Sequence, residues 1–182
     1  MNTILREKTF TGGQKLEIAQ GDITTEPLDA IVNAANAELQ HGGGVAWAIS
    51  RNGGEAIRRE SNAWVREHGS VSHAEPAYTS GGQMPCKYVI HAVGPVWGEG
   101  DEDNKLAAAV NGSLRRADEL KLESLAFPAI STGIFGFPKD RAARIIFAEI
   151  ENYFAQNEKS GLKLVRLTLF DQPTIDAFLG EW

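Results

Sequence analysis

Short apolar segments alternate with longer amphipathic segments in the second half of the chain, and this alternation strongly limits the possible folds. Residues 88–90 and 125–127 are continuous apolar runs, typical of strands that are buried on both faces. Residues 102–121 and 143–154 carry apolar side chains at helical spacing, and Pro138 is expected at the first position of the second helix. The order strand, helix, strand, helix predicts an α/β fold in which helices cover both faces of a mostly parallel sheet.

The first half of the chain and its end supply the remaining predicted elements. Strands are expected at residues 15–19, 30–32 and 162–170, and helices at 44–51, 55–68 and 175–179. No helical segment separates the first two strands, so we expect them to pair antiparallel at an edge of the sheet. The polar stretch 97–104 is interpreted as an exposed loop. No linker or repeat interrupts the chain, so residues 1–182 are expected to form one domain.

Composition and charge argue against several classes of function. The formal net charge is −6, whereas proteins that bind nucleic acids usually carry a basic surface. No apolar run approaches the length of about 18 residues that a transmembrane helix requires, so no membrane partner is expected. Cys86 is the single cysteine, which excludes an internal disulfide and fits a reducing, cytoplasmic setting.

Three loop segments follow predicted strands, at the edge where α/β sheets bind their ligands. The first is Gly-Asp-Ile-Thr at 21–24, in which the carboxylate of Asp22 could accept a hydrogen bond from an amine such as that of adenine. Aspartate and threonine are also common in capped turns, so a purely structural role for Asp22 remains open.

The second segment combines Asn-Ala-Ala-Asn at 33–36 with His-Gly-Gly-Gly-Val-Ala at 41–46. Consecutive glycines allow a ligand to approach the backbone closely, and the free N–H groups of the helix that follows attract anions. Asn33 and Asn36 offer neutral donors and acceptors for sugar hydroxyls. The alternative is a flexible connection with asparagines in turns.

The third segment, at 128–138, reads Pro-Ala-Ile-Ser-Thr-Gly-Ile-Phe-Gly-Phe-Pro and precedes a predicted helix. Its hydroxyls and glycines have the composition of a phosphate-binding loop at a helix N-terminus. It lacks the Gly-Lys-Ser/Thr of a P-loop and the glycine fingerprint of a Rossmann fold.

Other site chemistries find little support in the sequence. The four histidines show no metal-ligand spacing, and one cysteine cannot form a thiolate zinc site, so neither a metal nor a cofactor is expected. His91 lies in a strand-like run and is interpreted as a hydrogen-bonded core histidine.

Six segments in this order resemble the macro domain family: Gly-Asp-Ile-Thr (21–24), Ile-Val-Asn-Ala-Ala-Asn (31–36), Gly-Gly-Gly-Val-Ala (42–46), His-Ala-Val-Gly-Pro (91–95), Phe-Pro-Ala-Ile-Ser-Thr-Gly-Ile-Phe-Gly (127–136) and Leu-Phe-Asp (169–171). Each motif is weak alone, but together they extend over nearly the whole chain. The resemblance implies a three-layer α/β/α macro domain with a mixed, mostly parallel sheet. It also implies that ADP-ribose, free or attached to a protein, binds in a cleft at the crest of that sheet.

The resemblance also implies ligand contacts for particular residues. Asp22 would bind the adenine amine, with Ile23 beside the ring and Phe170 packed against it. Asn36 would hold the distal ribose, with Ala35 nearby. The residues implied to line the diphosphate and distal ribose are Gly43, Gly44 and Val45 on one side and Ser131, Thr132, Gly133, Ile134, Phe135 and Gly136 on the other. Among these, Phe135 would close over the distal ribose.

One position departs from a catalytic branch of the family. Hydrolases of the mono-ADP-ribosyl-protein type often carry an acidic residue directly after Gly-Gly-Gly-Val, where this chain has Ala46. Relatives with a small residue there are still associated with hydrolysis, in which Asn36 would position a water molecule as the catalytic residue. The resemblance therefore implies either a hydrolase of ADP-ribosyl esters and phosphates or a non-catalytic ADP-ribose reader. A third possibility, recognition of single-stranded poly(A), is disfavoured by the acidic charge.

Overall fold

A seven-stranded sheet runs through the centre of the computed structural model, which describes residues 1–182. The strands are β1 (Thr3–Thr9), β2 (Lys15–Gln20), β3 (Ala30–Ala35), β4 (Ala77–Ser80), β5 (Tyr88–Val93), β6 (Ser124–Phe127) and β7 (Leu164–Leu169). The helices are α1 (Gly44–Gly53), α2 (Glu55–His68), α3 (Glu102–Glu119), α4 (Lys139–Gln156) and α5 (Gln172–Gly180), with a 3-10 turn at Ile23–Thr25. None of these helices has the length and apolar character needed to cross a membrane.

The strand order is β1-β2-β7-β6-β3-β5-β4. The pairs β2–β7, β7–β6, β6–β3 and β3–β5 are parallel, whereas β1 and β4 pair antiparallel with β2 and β5 at the two edges. Successive residues of a strand point to opposite faces, so Ala30 and Val32 join the apolar cluster beneath α3, α4 and α5, and Ile31 joins the cluster beneath α1 and α2. The predicted three-layer α/β fold with a mixed, mostly parallel sheet is confirmed.

The predicted pairing of the first two strands is wrong. The strands at 15–19 and 30–32 correspond to β2 and β3, which run in the same direction and are separated in the sheet by β7 and β6. The free edge of β2 is taken instead by β1, which the sequence pattern did not reveal. Five of the seven β1 residues are exposed, so this edge strand carries no run of apolar side chains.

Three smaller differences concern element boundaries. Pro138 precedes α4 as its N-cap residue with an extended ψ of 127°, so the helix begins one residue later than predicted. The loop expected over 97–104 ends at Asp101, because α3 begins at Glu102. The edge strand β4 was not predicted, since its four residues Ala-Tyr-Thr-Ser form too short a pattern to be recognised.

Parallel strands have their carboxyl ends at the same edge of a sheet, and here that edge carries the loops singled out in the sequence. The chain leaves β2 at Gly21, β3 at Asn36, β6 at Pro128 and β7 at Phe170. These four exits surround one cleft.

Candidate functional site

A cavity of about 920 Å³ lies at the carboxyl edge of the parallel strands. Its volume falls within the range of about 300–1,000 Å³ that is usual for small-molecule sites. The walls are formed by the loops after β2, β3, β6 and β7 together with residues of α1 between Gly44 and Asn52.

All but one of the site residues expected from the sequence line this cavity. They are Asp22, Ile23, Ala35, Asn36, Gly43, Gly44, Val45, Ser131, Thr132, Gly133, Ile134, Phe135 and Phe170. The exception is Gly136, which lies outside the wall and closes the loop by donating its N–H to the carbonyl of Gly133 at 3.0 Å. Segments up to about 150 residues apart in the sequence therefore meet at one site.

Only one of the two carboxylate oxygens of Asp22 is hydrogen-bonded within the protein. Its Oδ1 accepts hydrogen bonds from the backbone N–H and the hydroxyl of Thr24, at 2.9 and 2.7 Å, and so caps the 3-10 turn. Its Oδ2 makes no hydrogen bond within the protein. The capping role and a ligand-binding role, which the sequence left as alternatives, are thus compatible at this residue.

A buried ionic network holds the turn that carries Asp22. The side chain of Asn2 accepts from the Asp22 N–H at 3.0 Å and donates to the carboxylate of Glu26 at 2.7 Å. Glu26 is 1% exposed, and it also accepts from Thr168 at 2.7 Å and from Arg166 at 2.6 Å. Sequence patterns gave no sign of Asn2 or Glu26, because their partners lie at least 20 positions away in the sequence.

The glycine loop leads into the N-terminus of α1 at the cleft wall. Gly43 is the N-cap residue, and Gly44 has a φ of 56°, which is the left-handed region that side chains disfavour. The first N–H groups of an α-helix have no acceptor within the helix, so those of α1 are free to bind an anion in the cavity.

Asn36 closes a tight turn at the mouth of the cleft. Its Nδ2 donates to the carbonyl of Gln40 at 2.8 Å, and its Oδ1 accepts from the Gln40 N–H at 3.0 Å. The amide retains one further donor and one further acceptor position for a ligand or water. Asn33, the other candidate for a sugar contact, does not reach the cavity, because it is fully buried on β3 between two histidines.

The loop at 128–138 forms the opposite wall. Ser131 has a positive φ of 66°, and the hydroxyl of Thr132 donates to the carbonyl of Ala129 at 2.8 Å. The side chain of Ile134 reaches across to the glycine loop, so that a Cβ on Gly43 would lie 3.0 Å from its Cδ1. The expected helix N-terminus is not part of this wall, because α4 begins only at Lys139, outside the cavity lining.

The cleft contains few ionisable groups. Asp22, Arg51 and Asp171 are the ionisable residues in its lining. Asp171 caps α5, with both oxygens accepting from the hydroxyl of Thr174. Arg51 forms no ion pair, and its guanidinium lies 5.1 Å from the ring centroid of Trp47, which is half exposed. Both Trp47 and Arg51 were missed in the sequence, where they look like ordinary positions of a helix surface.

Beneath the glycine loop, His91 is fully buried and its ring hydrogen-bonds Asn33 and Thr79, each at 3.0 Å. The prediction of a hydrogen-bonded core histidine is confirmed. Burial lowers the pKa of His91 to about 3, with a smaller contribution from the neighbouring His41. Burial also lowers the pKa of His41 below its ordinary value.

Comparison with known proteins identifies this arrangement. The sequence model of the macro domain matches residues 32–146. This chain belongs to the macro domain family. The match includes the glycine loop and the whole of the loop at 128–138, while Asp22 and Phe170 lie outside it.

Two related proteins illustrate the range of the family. A Thermotoga maritima protein is 51% identical to this macro domain over 96% of the chain, which spans only 29% of that longer protein. A Pantoea vagans protein named O-acetyl-ADP-ribose deacetylase 1 is 41% identical, and the match covers 91% of this chain and 97% of that one.

Two solved structures share the fold over most of their length. The Oceanobacillus iheyensis macrodomain with ADP is 31% identical and superposes with a TM-score of 0.91, covering 100% of this chain and 95% of that chain. The Trypanosoma brucei macrodomain in complex with ADP-ribose is also 31% identical, with a TM-score of 0.81, covering 90% of this chain and 67% of that chain.

Because His91 is buried, we expect the protein to lose stability in acid. Since the pKa of His91 is depressed in the folded state, the unfolded chain binds a proton as the pH falls below about 6.5, while the folded chain does not. Stability is therefore fully present above that pH and is lost as the pH falls toward 3. From pH 7 to pH 5 the contribution of His91 to the free energy of unfolding should fall by about 2 kcal/mol.

Urea denaturation at both pH values measures this change, with the His91→Gln variant as the comparison. The variant should show a pH dependence that is smaller by about this amount. An equal pH dependence in the two proteins would contradict the assignment.

Proposed function

We propose that this macro domain binds ADP-ribose and hydrolyses ADP-ribosyl esters or phosphates. The proposal rests on one observation: the same cavity contains a carboxylate with one oxygen that has no partner in the protein, a helix N-terminus that can bind an anion, and a loop rich in hydroxyl groups. We further propose that residues 1–182 act as one domain, because β1, β2, β7 and α5 lie outside the matched segment but complete the sheet and the cleft.

The adenine end of the site is supported by Asp22, Ile23 and Phe170. The free Oδ2 of Asp22 provides an acceptor for the exocyclic amine of adenine. Phe170 is 78% exposed, which is unusual for a large aromatic side chain. A planar base lying against its ring would cover this apolar surface and gain stacking energy.

The middle of the site suits a diphosphate. No lysine lines the cavity, and the proposed contacts are backbone N–H groups at the start of α1 and in the loop from Ser131 to Phe135. Groups of this kind bind phosphate through fixed dipoles and helix-end charge, without a basic side chain. The net negative charge of the chain is therefore no obstacle to an anionic ligand.

The residues near the distal ribose position bear on whether the protein is a hydrolase or a non-catalytic reader. Because position 46 is an alanine, Asp171 is the one carboxylate in the cleft besides Asp22 that could act as a general base. Both of its oxygens are already hydrogen-bonded to Thr174. A hydrolytic water would then be oriented by Asn36 and by the phosphate of the ligand, and such positioning can lower a barrier substantially. The name of the Pantoea vagans relative supports an O-acyl ester of ADP-ribose as substrate.

A reader function is the second candidate. It is favoured by the absence of a free carboxylate near the glycine loop and by the use of both polar atoms of Asn36 in the Gln40 turn. The two functions share the cleft and differ only in turnover.

Replacement of Asp22 should weaken ligand binding. The wild-type protein should bind ADP-ribose with a Kd near or below about 1 μM, or about −8 kcal/mol, and should bind ATP more weakly because ATP lacks the distal ribose. Asp22→Ala should cost about 1.5–3 kcal/mol of binding free energy, since a hydrogen bond to a charged group is lost. Isothermal titration calorimetry gives both values.

Asp171→Ala provides the matched control for Asp22, because it also removes a capping carboxylate from the cleft. It should lower stability by about 1 kcal/mol and leave most of the affinity. Undiminished affinity in Asp22→Ala would restrict Asp22 to its capping role.

A negative charge at Gly44 should block the ligand. Gly44→Ala and Gly44→Glu both place a side chain on a residue with a φ of 56°, so they share the same backbone strain. Only the glutamate adds repulsion toward the diphosphate in a partly desolvated cleft. Titration with ADP-ribose, with circular dichroism as the test of folding, should show a much larger loss for glutamate than for alanine. Equal affinities would mean that the glycine loop does not face the phosphates.

Turnover separates the enzyme from the reader. Purified protein incubated with O-acetyl-ADP-ribose or a mono-ADP-ribosylated protein should release free ADP-ribose slowly, as followed by liquid chromatography. Asn36→Ala should reduce the rate sharply, since positioning of ribose and water is lost. Gln40→Ala is the control, because it keeps the backbone groups that Asn36 binds. Binding without release over hours would establish the reader function, and release unaffected by Asn36→Ala would place the chemistry elsewhere.

A further inference from the structure

A chain of buried and partly buried hydrogen bonds ends at the residue that precedes the glycine loop. His41 Nε2 lies 2.9 Å from the hydroxyl of Ser61 on α2, and His41 Nδ1 lies 3.4 Å from Asn33 Nδ2 on β3. The same Asn33 amide nitrogen lies 3.0 Å from His91 Nδ1, and His91 Nε2 lies 3.0 Å from the hydroxyl of Thr79 on β4. Because His91 lies on β5, the chain ties the loop to four other elements of the fold: α2, β3, β5 and β4.

The bonding partners determine where the protons lie. An amide nitrogen has two hydrogens, so Asn33 Nδ2 can donate to the Nδ1 atoms of both His41 and His91. Each ring then carries its proton on Nε2, from which His41 donates to Ser61 and His91 donates to Thr79. The hydroxyl of Thr79 in turn donates to the carbonyl of Ser80 at 3.0 Å.

The reverse orientation of the Asn33 amide satisfies fewer groups. Both N–H bonds of Asn33 would then be buried without an acceptor. His91 Nε2 would also have to accept from Thr79, whose single hydroxyl proton already serves Ser80. The first arrangement leaves only Asn33 Oδ1 without a partner, and it requires both histidine rings to be neutral. Burial favours the same neutral state of His41, since it lowers the pKa of this ring.

The glycine loop has almost no other anchor. From His41 to Gly44, no backbone N–H donates a hydrogen bond within the protein, and a Cβ on Gly42 or Gly44 would have no neighbour within 4 Å. Three successive glycines have a high conformational entropy when they are unconstrained. Between the Asn36–Gln40 turn and the first turn of α1, the ring of His41 is the one side chain that hydrogen-bonds the loop to the rest of the fold.

We propose that His41 is a positioning residue for the ligand cleft: its neutral ring, held between Ser61 and Asn33, fixes the backbone of Gly42–Gly44 against the diphosphate position. This inference rests on the proposed function for its ligand. It adds a residue that does not line the cavity, and it supplies the fixed point that would hold a glycine-rich loop ready for the ligand.

Two substitutions at His41 separate its hydrogen bonds from its ring. His41→Gln retains a donor for Ser61 and an acceptor for Asn33, whereas His41→Leu keeps apolar volume and removes both. Tyr153→Phe is the control for general destabilisation, since it removes a hydrogen bond to Asp118 in another part of the molecule, outside the cleft. Each protein is titrated calorimetrically with ADP-ribose, ADP and AMP.

The expected pattern is selective for the diphosphate. His41→Leu should bind ADP-ribose and ADP about tenfold more weakly, the effect of roughly one hydrogen bond, and should bind AMP as the wild type does. His41→Gln should stay close to wild type for all three ligands, as should Tyr153→Phe. Wild-type affinity of His41→Leu for ADP-ribose, or an equal loss for all three ligands, would overturn the inference.

A second readout needs no ligand. Nitrogen-15 NMR of the unliganded protein should show the Nε2–H form of His41, and the backbone order parameters of Gly43 and Gly44 should be lower in His41→Leu than in wild type. Unchanged order parameters or a ring protonated on Nδ1 would overturn the inference. If the wild-type protein binds no ADP-ribose, the proposed function fails, and this readout still decides the role of His41.

Discussion

The structure depends on one constraint: five neighbouring strands run in the same direction and are covered by helices on both faces. After each of these strands the chain must return to the opposite end of the sheet before the next parallel strand begins. Every loop that follows one of these strands therefore leaves at the same edge. Residues as distant in sequence as Asp22 and Phe170 therefore share one cleft. The chemistry of the site is a consequence of the strand direction.

Loops at such an edge lose the hydrogen bonds of the sheet, and in this protein polar side chains replace them. Asn2 and Glu26 hold the Asp22 turn, and Asn36 closes the turn before the glycines. His41 bonds Ser61 beneath the glycine loop. These anchors leave selected groups free, such as Asp22 Oδ2 and the first N–H groups of α1, and thereby prepare the cleft for a polar ligand.

The scarcity of charge in the cleft bears on its chemistry. A site that binds a dianionic diphosphate through backbone dipoles does not need lysine, and it also supplies no obvious proton acceptor near the distal ribose. The ligand itself would have to contribute to catalysis, and the loop from Ser131 to Phe135, besides its proposed contacts with the diphosphate, would exclude and order water. Binding and hydrolysis thus place nearly the same demands on this sequence, which is why turnover alone distinguishes them.

The sequence by itself determined the central strands, the helices and the loops of the cleft, because continuous apolar runs, helical periodicity and clustered glycines are local signals. It could not reveal the edge strands β1 and β4, whose residues are mostly exposed or few. It also assigned Asn33 and Asn36 the same role, although one is buried and the other lines the cleft. Only the tertiary structure decided such cases, including the partnership of Glu26 with Arg166 across 140 positions. The physical reason is that burial and hydrogen-bond partners depend on which strands become neighbours, and strand order is not a local property of the chain.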